Sequence, residues 1–109
     1  MFGNKMNLVE KAIKKNNAST LIGLCNNKDQ EVCLSAIAGL GEVGGETAAN
    51  FMIANLQNTD PKIRTAIAQA LGVLGDMHTK AFVSAQMSKE DNPDVRKALG
   101  KALGQIKNY

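Results

Sequence analysis

The stretch Asp60-Pro-Lys-Ile-Arg-Thr-Ala-Ile-Ala-Gln-Ala-Leu-Gly-Val-Leu-Gly75 decides the fold, because the chain carries it three times. Asp29-Gln-Glu-Val-Cys-Leu-Ser-Ala-Ile-Ala-Gly-Leu-Gly-Glu-Val-Gly44 lies over it at an offset of 31 residues, and Asn92-Pro-Asp-Val-Arg-Lys-Ala-Leu-Gly-Lys-Ala-Leu-Gly-Gln-Ile-Lys107 at 32. One residue inserted in the loop from Ser88 to Asn92 accounts for the longer step. Self-similarity at such a period marks stacked repeats, each too small to bury its apolar face alone.

Every matched column has a physical task. Asp29, Asp60 and Asn92 are N-cap residues, and Pro61 and Pro93 follow at the first helical position, where a missing N–H is harmless. Apolar positions then recur at helical spacing: Val32, Ile63 and Val95; Ala36, Ile67 and Leu99; Leu40, Leu71 and Leu103; Val43, Leu74 and Ile106. This is one stripe of a helix of about three turns. Gly41, Gly72 and Gly104 follow the leucine column, and their missing Cβ lets a neighbouring helix approach. Gly44, Gly45 and Gly75 stop the first two helices in the manner of a left-handed cap.

A second helix precedes each of these. Glu46 to Gln57 aligns with Met77 to Ser88, setting Phe51 over Phe82 and Leu56 over Met87; in the first unit the run is Ala18 to Asn26, with Cys25 in the Leu56 column. Asn17-Ala18-Ser19 reads as a helix start rather than a glycosylation acceptor. Asn7-Leu-Val-Glu10 is a capping-box pattern opening a helix through Lys15, with Leu8, Ala12 and Ile13 on one side, which covers the first repeat's open end. The expected architecture is all-α: one domain over 1–109, an α-α superhelix (solenoid), right-handed, with a cap helix at 6–15 and three helix pairs at about 16–45, 46–76 and 77–107.

Composition agrees. The chain has 109 residues, 44% of them hydrophobic and 21% charged, which excludes disorder by composition. With no Trp, one Tyr and three Phe against ten Gly, the core must be built from small and aliphatic side chains, against a β-sandwich. No apolar run reaches the length of about 20 residues that a membrane span needs, and no apolar signal region follows Met1-Phe2-Gly3-Asn4-Lys5, so the expected location is cytoplasmic. The net charge of +3 is uneven: residues 1–28 and 96–109 are basic, and 29–95 acidic. That is a weak platform for a continuous phosphate backbone.

The motifs Asp60-Pro-x-x-Arg64, Ala70-Leu71-Gly72 and Leu74-Gly75-Asp76, with their copies over about residues 16–107, resemble the HEAT-like repeat family in its short prokaryotic form, also seen in bilin lyase subunits and consensus-designed helical repeats. The resemblance implies that Arg64 and Arg96 pair with the Asp29 and Asp60 columns of neighbouring repeats. Cys33 stands in the arginine slot of the first repeat, which should lack that tie.

Chemical motifs are sparse. Gly39-Leu-Gly41-Glu-Val-Gly44 satisfies GxGxxG, but that motif binds pyrophosphate only between a strand and a helix start, and here it ends a helix. Cys25 and Cys33 read as free, buried thiols, and the single His78 as solvent-facing. No metal or cofactor is expected, since no set of ligands has the required spacing. The His-Glu pairs that hold iron in deoxyhypusine hydroxylases, which resemble this chain in repeat type, are absent.

What remains is surface. The outward positions of the second helices form a grid of nine: Leu34, Ala38 and Glu42; Thr65, Gln69 and Val73; Lys97, Lys101 and Gln105. Solenoids bind through their concave face, so this grid is the expected partner-binding surface. The expected function is a non-catalytic protein-interaction or scaffold module with a protein partner. The alternatives are an enzyme subunit or cofactor chaperone of the bilin-lyase type, and weak nucleic-acid binding through the basic ends. The last repeat has no cap after it, which points to a homodimer through the C-terminal end, screened by Lys89, Glu90 and Asp91.

Overall fold

Short polar side chains fix where the helices begin. Asn17, Asp29, Asp60, Asp76 and Asn92 each accept a hydrogen bond from a backbone N–H two or three residues on, at 2.9–3.1 Å, satisfying amides that a helix's first turn leaves unpaired. The computed structural model describes residues 2–106, with side chains from Lys5. It has helices α1 (Phe2–Lys14), α2 (Ala18–Leu24), α3 (Gln30–Val43), α4 (Gly45–Ala54), α5 (Pro61–Leu74), α6 (Lys80–Lys89) and α7 (Pro93–Gln105), and no strand among the described residues. A 3-10 turn, Met77–Thr79, leads into α6. Lys107, the end of the third expected repeat, lies outside the described residues, as do Asn108 and Tyr109.

The helices form two layers. α3, α5 and α7 stack closely in one; α2, α4 and α6 lie behind them with sparse contacts to each other; α1 packs on α2 and α3. Small residues set the close stacking. A Cβ at Gly41 would lie 2.8 Å from Ala70 O and 3.0 Å from Ala70 Cα, and one at Gly72 would strike Gln105 and lie 3.2 Å from Ala102 Cα. Each glycine thus faces forward onto the alanine of the next repeat. Gly39, which holds the alanine position in the first repeat, faces back onto Ile13 and Leu21, with Ile13 Cγ1 2.9 Å from where its Cβ would be. The glycines at 39 and 41 are therefore consumed by packing, while Gly44 (φ 65°) and Gly75 (φ 67°) make the turns. Gly44 alone joins α3 to α4, at a ψ of −155° that a residue with a Cβ does not tolerate. It is not a left-handed cap as expected; only Gly75 adopts that conformation, and Gly45 opens α4.

Eight of the twelve expected core positions are buried, with Val32, Ala36, Leu40, Leu71, Val95 and Leu99 fully so, while Val43, Ile63, Leu74 and Leu103 are half-buried. Several details differ from expectation. α1 begins at Phe2, so Asn7 is inside the helix rather than capping it. Met6 joins a core-packed stripe with Val9, Ala12 and Ile13, and Leu8, expected on that side, faces outward at 47% exposure. The inserted residue is absorbed by the end of α6, which runs one turn past the position where α4 stops. Phe51 packs on the core while Phe82 is 51% exposed, because a cleft of about 430 Å³ opens between α4 and α6, lined by Ala49, Ile53, Phe82 and the Asp76–Thr79 turn.

The arginine column also departs from expectation. Arg64 does bridge to the next repeat, but onto Glu90: Nε and Nη2 donate to the two carboxylate oxygens at 2.9 and 3.0 Å, and Nη1 to Asn58 O at 2.7 Å. Asp60 is engaged instead by Gln30 Nε2, at 2.9 Å, and by its own helix start. Glu90 is thus buried and turned inward, not a surface screen. Arg96 donates through Nη1 to Met87 O (2.8 Å) and Glu90 O (3.2 Å), closing carbonyls at the end of α6. In the first repeat Cys33 Sγ donates to Cys25 O at 2.8 Å, so a thiol does locally what the guanidinium does elsewhere, without the bridge.

Candidate interaction groove

Residues three or four apart share a helix face, and two such rows meet across the α3/α5 seam. Leu34, Ala38 and Glu42 of α3 and Thr65, Gln69 and Val73 of α5 line one groove of about 640 Å³. Its floor is Ala66 and Ala70, whose small side chains follow from the close approach at Gly41. Leu34 and Thr65 are half-buried; Ala38, Glu42 and Gln69 are exposed, and Val73 is 61% exposed. Thr65 Oγ1 donates to Pro61 O at 2.9 Å, so its hydroxyl is satisfied within the helix. Mostly aliphatic contact surface results, with charge at the two ends: Glu42 in the last turn of α3, Lys62 and Asp94 in the first turns of α5 and α7.

The structure brings together six of the nine grid positions. Lys97, Lys101 and Gln105 are exposed on α7 but outside the groove, and Gln105 lies over Gly72. Lys62 and Asp94 were missed, although they are one column, three residues before Thr65 and Lys97 and so on the same face. That one-turn step was the available signal.

Elsewhere the chemistry is quiet. Cys25 and Cys33 are free and buried. Burial, with Cys33 nearby, pushes the Cys25 thiol up to about 12; burial, with Asp60 nearby, raises Cys33 as well. Neither is a thiolate nucleophile near neutral pH. The His78 side chain is 92% exposed, with Nδ1 3.0 Å from Asp76 Oδ1. Asp76 is held below the usual carboxylate range, first by the His78 backbone N–H and then by the ring. No group of three or more His, Cys, Asp or Glu side chains converges as metal ligands among the described residues. No helix among them is long and apolar enough to cross a membrane.

Comparison with known proteins agrees with this architecture. Over 58 residues, 53% of its length, the chain is 34% identical to a HEAT repeat-containing taxis protein of Halobacterium salinarum. The chain spans 14% of that protein's length. The family model described as HEAT repeats matches twice, over residues 10–72 and 50–108. HEAT repeats commonly mediate protein-protein interaction, and with the two matches spanning most of the sequence, the chain belongs to the HEAT-repeat family.

Proposed function

We propose that the chain is a non-catalytic interaction module that holds a segment of a partner protein in the α3/α5 groove. The observation that carries this reading is the aliphatic surface of Leu34, Ala38 and Val73 in a concave site, where a merely solvated face would be polar. The groove's charges add direction: a bound segment meets Glu42 at one end and the Lys62 and Asp94 pair at the other. The quiet chemistry of the thiols and of His78, and the part-length likeness to a HEAT repeat-containing taxis protein, support a role without catalysis.

The test uses Ala38→Arg and Val73→Asp, both at exposed positions, so the fold is retained. Affinity for partners isolated with the wild-type protein should fall about tenfold or more in each variant, as expected for a charge placed in an apolar contact. Unchanged binding by folded variants overturns the groove assignment.

A further inference from the structure

The layer of α2, α4 and α6 holds a second concavity, which shares no lining residue with the α3/α5 groove. Its interior, in the cleft of about 430 Å³ between α4 and α6, is apolar, with Ala49 and Ile53 on one wall and Phe82 on the other. Phe82 stays 51% exposed there, although Phe51 of the same column packs on the core. Clefts of about 300–1,000 Å³ with an apolar lining and a few placed polar groups are those of small-molecule sites. The rim is one-sided in its chemistry. Asp76 Oδ1 accepts from the His78 backbone N–H at 2.9 Å and lies 3.0 Å from the ring Nδ1, while Oδ2 has no partner among the described residues. A carboxylate only accepts, so Nδ1 carries the proton between them, and the neutral imidazole presents Nε2 as a further acceptor. Glu46, exposed in the first turn of α4, forms no ion pair among the described residues. Thr79 donates its hydroxyl to Asp76 O at 2.7 Å and offers the cleft no donor, while the Asn50 amide serves either way. Lys80 lies outside the lining and pairs with neither acid.

We propose that this cleft binds a small organic cation, a primary ammonium on an aryl or aliphatic stem. The ammonium lies between the Asp76 and Glu46 carboxylates, and the stem lies against Ile53 and Phe82. Charge complementarity names the occupant: two carboxylates and an imidazole surround an apolar interior that no Lys or Arg lines among the described residues. An ammonium has three donors and no acceptor, which is what such a rim matches, and the Phe82 ring offers its face to the cation or its stem. An anion on the same stem meets two carboxylates and is turned away. The site is independent of the α3/α5 groove and stands whether or not a protein segment binds there.

The test is a titration of the full chain with phenethylammonium, followed by the NMR shifts of the backbone amides. Amides of Gly45–Ile53 and Asp76–Phe82 should move and saturate, with a dissociation constant of about 1 mM or below, the range open to so small a ligand. Phenethyl alcohol and hydrocinnamate keep the ring and replace the ammonium by a hydroxyl or a carboxylate, and each should bind about tenfold or more weakly. Glu46→Gln, and Asp76→Asn, which keeps the cap, should each weaken the amine about threefold or more and leave the alcohol unchanged. Phe82→Ala, at an exposed position that the fold does not need, should weaken amine and alcohol together. The amide spectrum itself reports that each variant is folded. No saturation by about 10 mM amine, equal affinity for the amine and the carboxylate, or shifts centred on Leu34–Glu42 and Thr65–Val73 overturn the site. Loss of amine binding in the Phe82 variant alone, with both acid variants like wild type, overturns the role of the carboxylates.

Discussion

Position 90 is where the three repeats differ most in chemistry while doing the same local job. Asn27, Asn58 and Glu90 each accept the backbone N–H of the following N-cap residue, at 2.8–3.1 Å, but only Glu90 adds a charge. Burial pushes its carboxyl up, but Arg64, Gln86 and the Asn92 N–H more than offset this and hold it below the usual carboxylate range. A depressed native pKa stabilises the fold above the unfolded value, about 4.3 for glutamate, and that contribution is lost as pH falls through the native value. Glu90→Gln should therefore cost about 3 kcal/mol at pH 7, by leaving Arg64 without its buried partner, and the gap from wild type should narrow as pH falls below the unfolded value of about 4.3 and close once pH is below the native one. Denaturant titrations at the two ends of that range check this, and a gap independent of pH refutes it. The first repeat offers the converse. Cys33→Arg places a cation where the neighbouring repeat supplies Asn58, and should destabilise the protein; adding Asn58→Glu, which keeps the cap, should recover about 1–3 kcal/mol through the restored pair. A double-mutant cycle with no coupling rejects the equivalence of the two interfaces.

At the scale of the helix, Gly41 and Gly104 occupy the same column and should respond oppositely to the same substitution. Gly41→Ala drives a methyl into the α5 backbone at Ala70, which cannot yield as a flexible side chain would, and should cost about 1–3 kcal/mol. Gly104→Ala meets nothing within 4 Å among the described residues and should gain up to about 1 kcal/mol from helix propensity. Thermal or denaturant midpoints measure both, and equal effects would refute the difference between the two glycines' surroundings. The column itself was legible in the sequence, because a glycine repeated inside a helix needs a reason and close approach supplies one. So were the N-caps Asn17, Asp29, Asp60 and Asn92 and most of the core stripes, which depend on spacing within one helix. What escaped depends on contacts between elements. The Arg64 partner was sought among the aspartates, which the helix starts occupy, while the acid used, Glu90, comes from the loop before the next cap. The groove was legible in Leu34, Ala38, Glu42, Thr65, Gln69 and Val73 from helical period alone. Its limit short of Lys97, Lys101 and Gln105, and its extension to Lys62 and Asp94, depend on how α7 lies against α5.

Over the whole molecule, 40 × 30 × 18 Å and about two helices thick, stability passes between neighbouring repeats rather than through a central core. Among the described residues, α5 is covered on both flanks, by α3 and α7, and α3 by α5 and by α1, whereas α7 meets α5 on one flank only. Local opening should therefore be easiest in α7 and hardest in α5. Backbone hydrogen exchange tests this gradient: amides of α5 around Ile67–Leu71 should exchange about tenfold or more slowly than those of α7 around Leu99–Leu103. Uniform protection across the two helices would show that the array opens only as one unit. The gradient bears on binding, because the groove lies on the α3/α5 seam, where the Ala70 and Gly41 backbones meet and, on that gradient, opening should be hardest. A partner segment held there needs little ordering of its receptor, which lowers the entropy cost of association. Gly41→Ala should then weaken binding more than its distance from the groove-lining side chains suggests, because it wedges apart the two helices that hold Leu34, Ala38 and Val73 in register. Calorimetric titration at a temperature where the variant remains fully folded separates that effect from simple unfolding, and an affinity equal to wild type would show that the seam's stiffness plays no part in recognition.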